Sequence, residues 1–310
     1  MKKILLLLVL LPVYAWGSAV EQDPAALEWQ KQQQQADKRL FKQIKAEVSA
    51  GYTDSLSELA SLYYFGRGTK KNYKKAYRYF KKAAKHGNEY ARYAQAFMLL
   101  RGQGVKARPS QALAIQEELA KDDFAPAQVE LFYAYRDGTG TAPNQARAQQ
   151  FLQTAARQNY PTALRLLGVQ LRGTDPQTAF TYLQTAAERE DKKAQYLTAL
   201  CYDEGIGTAK NPRRALEYMI RSAKQKYAPA LWQTAQWYEA GYGTEPSAYQ
   251  AFRWTRLAAQ ADVKEAQKRL AEMYAQGVGV RPNQQLAKKW AKEAQKAATP
   301  NDTDQLEEHN

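Results

Sequence analysis

The chain has 310 residues, a formal net charge of +14 and an apolar share of 45%. That apolar share excludes a disordered chain, and the length allows a full-sized core or two. One cysteine and two histidines exclude an internal disulfide and a structural zinc site of the usual kind.

The chain opens with Lys2 and Lys3, then a continuous apolar run from Ile4 to Leu11, then Pro12. Small residues follow at Ala15, Gly17, Ser18 and Ala19. This is the layout of a secretory signal peptide over residues 1–19, with cleavage expected just before Ser18 or Val20. No cysteine stands directly after the run, so the acceptor of a bacterial lipoprotein anchor is missing. The expected destination is the periplasm or the outside of a bacterium, which argues against a nucleic-acid partner despite the positive charge. Residues 20–53 read as a polar N-terminal helix and cap. They carry a glutamine run from Gln32 to Gln35, and Asp37 to Ala50 has the pattern of a lone second helix of the repeat that follows.

From residue 54 to 298 the chain repeats itself. Pairs of glycines separated by one residue occur at Gly66/Gly68, Gly102/Gly104, Gly138/Gly140, Gly205/Gly207, Gly241/Gly243 and Gly277/Gly279. A second series, Ala76, Ala112, Ala148, Ala179, Ala215, Ala251 and Ala287, steps by 36 residues except for one step of 31. A third, Ser55, Ala91, Ala127, Ala163, Ala194, Ala230 and Ala266, also steps by 36 except for one step of 31, from Ala163 to Ala194. Seven repeats follow from this, the fourth shortened between Ala163 and Ala179. In each, a first helix is expected to end at a glycine that adopts positive φ, and a second helix to begin near a proline. Those prolines are Pro109, Pro143, Pro176, Pro212, Pro246 and Pro282. Large residues three after the alanine series are expected to be inward knobs: Tyr79, Ile115, Phe151, Tyr182, Tyr218, Trp254 and Trp290. One helical pair cannot bury both of its apolar faces, whereas stacked pairs can. The expected fold is an all-α, right-handed α-solenoid of seven antiparallel helical hairpins, with a flexible tail over residues 299–310.

The first repeat, "LASLYYFGRGTKKNYKKAYRYFKKAAKHGN", carries the pattern LYxxGxG…KAxxYFxKAAxxG, and "MYAQGVGVRPNQQLAKKWAKEA" at Met273 to Ala294 matches it about as well. This resembles the Sel-one-like repeat, a branch of the tetratricopeptide-like helical repeats. The resemblance implies a binding scaffold or adaptor without catalytic activity, often exported in bacteria. Roles implied by relatives include envelope assembly, polysaccharide secretion, host interaction and immunity against toxins delivered between bacteria; an alternative expectation is a periplasmic immunity protein that neutralises a delivered toxin such as a phospholipase effector. It also implies that Tyr63, Tyr135, Tyr202, Tyr238 and Tyr274, each three before the first glycine, are packing residues.

Catalytic constellations are not legible. His86 stands at a helix end, His309 in the tail, and Cys201 at a position that elsewhere holds Leu62, Met98, Ala134, Trp237 and Met273. No Ser or Cys has a plausible histidine base, so no enzyme activity, cofactor or metal is expected. The informative aromatics are those that vary between repeats. Positions twelve, nine and five before the first glycine share one face of the first helix, which solenoids of this type turn to their concave side. Tyr90, Tyr93, Phe97, Tyr133, Tyr196 and Trp232 fall there. They are read as a partner-binding surface for an acidic or amphipathic protein, with inter-helix packing as the rival explanation. The second helix of the first repeat carries Lys70, Lys71, Lys74, Lys75, Arg78, Lys81, Lys82 and Lys85 around its outer side. These read either as a solvated face or as a contact for anionic envelope lipid or glycan. Arg213, Arg214, Arg221, Lys224 and Lys226 form a second, weaker patch.

Overall fold

A computed structural model describes residues 24–296. The leader, the tail and His309 lie outside the described residues. Among the described residues the chain is helical throughout, without strands.

Two compact units divide it, one running to Ala155 and the other from Ala156. The N-terminal unit begins with α1 (Pro24–Ser49) and a short 3-10 turn (Thr53–Ser55). Its hairpins are α2 (Leu56–Phe65) with α3 (Tyr73–Lys85), and α4 (Glu89–Arg101) with α5 (Pro109–Lys121). Then comes α6 (Ala125–Asp137), followed by α7 (Gln145–Arg157), inside which the division falls. In the C-terminal unit α8 (Pro161–Leu171) pairs with α9 (Pro176–Glu188), and α10 (Lys192–Glu204) with α11 (Pro212–Lys224). The last pairs are α12 (Ala228–Ala240) with α13 (Ala248–Gln260), and α14 (Lys264–Gln276) with α15 (Gln284–Gln295).

The two alanine series explain why the helices can approach. Ala76, Ala112, Ala179, Ala215 and Ala251, and Ala91, Ala127, Ala163, Ala194, Ala230 and Ala266, have no exposed surface. A larger side chain at any of them would push adjacent helices apart. Each of the glycines Gly66, Gly102, Gly138, Gly205, Gly241 and Gly277 is a left-handed C-cap with φ between 69° and 78°. The turn then closes on the packing tyrosine. The backbone N–H of Asn72 donates to the carbonyl of Tyr63, that of Asn144 to Tyr135, and that of Asn211 to Tyr202, at 2.7–2.8 Å. The same asparagines cap the following helix: Asn72, Asn144, Asn211 and Asn283 accept from the backbone N–H three residues on. Each such cap is worth ~1 kcal/mol.

Two expectations are corrected. Pro109, Pro176 and Pro212 do open their helices, but Pro143, Pro246 and Pro282 lie two residues earlier, in the turn, with their rings against Gly138, Gly241 and Gly277. The knobs are also displaced. Of the seven expected, only Tyr218 and Trp290 are buried, and the others are half-buried. The deeper position is one residue later, where Phe80, Leu152, Leu183 and Met219 are buried. The earlier position instead lies flat against the packing tyrosine of the same hairpin. Tyr79 stacks on Tyr63, Phe151 on Tyr135 and Tyr218 on Tyr202, with ring centroids 5.7–5.8 Å apart.

Candidate interaction surface

In the N-terminal unit, α4 presents Tyr90, Tyr93 and Phe97 on one face. Tyr90 is 50% exposed, while Tyr93 and Phe97 are half-buried. Much of their backing comes from α6 and the residue just ahead of it. The ring of Phe124, just ahead of α6, meets Tyr90 edge-on at 5.2 Å and Tyr93 at 5.8 Å. The Tyr93 hydroxyl donates to Glu130 Oε1 at 3.0 Å. Phe97 lies under the guanidinium of Arg101, 4.5 Å from ring centroid to Cζ. These contacts hold the rings in one orientation, so a partner meeting them would freeze little further side-chain freedom. Tyr133 is different. It is only 8% exposed, tilted against Phe132 and covered by Arg136, so it belongs to the interior of α6 and offers a partner almost no surface.

In the C-terminal unit the same logic recurs. Tyr196 on α10 is half-buried and meets Tyr227, the residue ahead of α12, edge-on at 5.4 Å. Burial pushes its hydroxyl pKa up. Trp232 on α12 is half-buried. Phe124 and Tyr227 were not singled out in the sequence, yet each follows its partner tyrosine by 31 residues. That constant offset is the signal by which they could have been found.

The cationic side chains sort into two kinds. Lys70, Lys71, Lys74, Lys75, Arg78, Lys81, Lys82 and Lys85 are all exposed, and none pairs with a carboxylate among the described residues. Lys71, Lys75 and Arg78 lie over the rings of Tyr73, Tyr63 and Tyr79 at 5.1–5.6 Å. The second patch is neutralised from within. Arg213 and Arg214 face Glu217 at 3.9 Å, and Arg221 bridges Glu188 at 2.9 Å and Glu190 at 3.1 Å. The Tyr218 hydroxyl and the Arg221 guanidinium together hold the Glu188 carboxyl below its usual range.

Cys201, Asp203 and His86 have structural surroundings. Cys201 is 1% exposed, and burial pushes its thiol pKa up, the opposite of what a nucleophile needs. Asp203, near the same turn, accepts a hydrogen bond from the Tyr242 hydroxyl. His86 caps the end of α3. No group of three or more metal-ligating side chains occurs among the described residues.

The Sel1 repeat pattern matches residues 53–88, 90–116, 125–160, 161–191, 192–227, 228–263 and 264–297. The chain is 33% identical to a solved Sel1 repeat protein from Oxalobacter formigenes, with a TM-score of 0.63 over 73% of this chain and 95% of that one. It shares its fold with a protective antigen of uropathogenic Escherichia coli, at 23% identity and a TM-score of 0.62, over 82% of this chain and 56% of that one. A curated mouse protein, DAP3-binding cell death enhancer 1 of Mus musculus, is 28% identical over 145 residues. The match takes in 45% of this chain and 28% of that protein, so the chain spans under a third of that relative.

Proposed function

The chain belongs to the Sel1 repeat family, whose members are protein-interaction scaffolds, and from that premise we propose that it is an exported, non-enzymatic scaffold that holds a partner protein against its first helices. The observation that carries the reading is the aromatic cluster on α4. Tyr90 leaves half its surface open while Phe124 fixes it from behind. Rigid aromatic side chains with one face backed and one face open are the usual anchors of protein interfaces. Tyr196, backed by Tyr227, gives the C-terminal unit an anchor of the same kind, Trp232 holds the same repeat position one repeat on, and Phe97 flanks the cluster on α4. The mouse relative is itself named for a protein it binds. Export rests on the leader pattern before Ser18. The excess of cations steers an acidic or amphipathic partner toward the chain.

The test immobilises wild type and the Tyr93→Ala/Trp232→Ala variant in parallel against an envelope extract, with captured proteins read by mass spectrometry. A protein held by wild type and lost from an equally helical variant supports the reading. Identical captures by both baits would refute it. Loss of a single true anchor such as Trp232 is expected to cost ~2 kcal/mol, about thirty-fold in affinity.

A further inference from the structure

The basic surface is larger than α3. A Cβ on Gly104 would lie 2.4 Å from the carbonyl oxygen of Tyr73, at the start of α3. A Cβ on Gly68 would lie 2.1 Å from the carbonyl oxygen of Asp37, within α1. Asp37 therefore holds in α1 the place that Tyr73 holds in α3, 36 residues on. In that register Lys38 stands for Lys74, Lys42 for Arg78 and Lys45 for Lys81. All of these side chains are exposed. With Arg39, α1 adds a second row of cations to the eight on the turn and helix of the first repeat, and none of them meets a carboxylate among the described residues. The surface stops at α5, where Ala114, Glu117 and Glu118 occupy the places of Arg78, Lys81 and Lys82.

We propose that this two-helix face docks on an anionic phospholipid bilayer. Three features select that partner. First, no anchor stands among the described side chains of the face: none of the exposed large apolar side chains of the described residues lies on α1 or α3. Gln43 and Ala46, exposed among the cations of α1, are polar or small. A protein interface is built around buried aromatic or aliphatic anchors and is poor in lysine. Second, lysine dominates over arginine. A hydrated point charge on a flexible stem suits dense, laterally mobile headgroup phosphates, whereas base-edge readout in nucleic acids relies on the fixed fork of arginine. Third, the charge is left unneutralised here, while the second patch pairs its arginines with Glu188, Glu190 and Glu217. A merely solvated face would have no reason to differ from it.

The experiment is co-sedimentation of the full chain with vesicles, either pure phosphatidylcholine or containing about one-third phosphatidylglycerol, at low and high salt. Wild type is expected to bind the anionic vesicles at least ~10-fold more tightly than the neutral ones, and to lose that preference at high salt. The Lys38→Glu/Lys42→Glu/Lys74→Glu/Arg78→Glu/Lys81→Glu variant should lose the preference. Lys210→Glu/Lys224→Glu/Lys268→Glu/Lys288→Glu/Lys292→Glu, with the same change of net charge on other exposed lysines, should keep most of it. Should the first variant lose helicity, glutamine replaces glutamate in both sets. Equal binding to neutral vesicles, or equal losses in the two variants, would overturn the proposal. So would duplex DNA bound more tightly than anionic vesicles at the same salt.

Discussion

A Cβ placed on Gly207 would come within 1.9 Å of the carbonyl oxygen of Pro176. No side chain can yield here, because the obstacle is backbone. The second glycine of the repeat is thus a contact between successive repeats, where the turn after one first helix rests on the start of the preceding second helix. Gly243 meets Pro212 and Gly279 meets Ala248 in the same way, at 2.3 and 2.1 Å. Gly207→Ala is expected to destabilise the protein by ~3 kcal/mol, from backbone overlap and from a φ of 68° that alanine adopts poorly. Gly173→Ala provides the contrast, since nothing lies within 4 Å of its Cβ and its φ is ordinary. It should leave stability within ~1 kcal/mol of wild type. Urea unfolding followed by circular dichroism separates the two.

Gln116, like Thr255, is a polar exception in a mostly apolar series. It occupies the deep knob position that Phe80, Leu152, Leu183 and Met219 fill elsewhere, it is buried, and its Nε2 has no hydrogen-bond partner. Replacing it with a residue that the series already uses removes an unpaired donor without changing the shape much. Gln116→Met is expected to raise stability by about 1–2 kcal/mol in the same unfolding measurement.

Alkaline pH should weaken the fold through particular tyrosines. Burial, then the hydrogen bond to Asp203 and its charge, push Tyr242 up to about 12. Burial does the same to Tyr64, which also reaches about 12 and donates to Gln103 Oε1 at 2.9 Å. Both values lie above the unfolded value near 10. The stability tied to their protonated forms is therefore fully present below pH 10. Between pH 10 and about 12 the unfolded chain has released these protons and the folded chain has not, so stability falls through that window. Tyr242→Phe and Tyr64→Phe should each flatten the fall, as read from denaturant midpoints taken across it.

The helices, their glycine stops and the packing role of Tyr63, Tyr135 and Tyr202 were legible in the sequence because each recurs at a fixed step. What was not legible depends on which particular side chains pack around each ring. Phe97 and Tyr133 hold the same repeat position and each has an arginine over its ring, yet one is half-open and the other covered; Tyr133 also has Phe132 tilted against it, where Phe97 is preceded by Ala96. Phe124 and Tyr227, each just ahead of the next first helix, support Tyr90 and Tyr196, which no pattern within a single helix reveals. The depth of the knobs was misplaced by one residue for a related reason. A step of one turns a helical side chain by 100°, enough to exchange the groove against the packing tyrosine for the core.

The central claim is that the first helices hold the partner. Hydrogen–deuterium exchange on the complex with the captured protein tests it most directly. Added protection is expected in the peptides of α4 and α12, around Tyr90, Tyr93 and Trp232, with α3 and α11 unchanged. Protection confined to α3 or α11, with α4 and α12 exchanging as in the free protein, would contradict it.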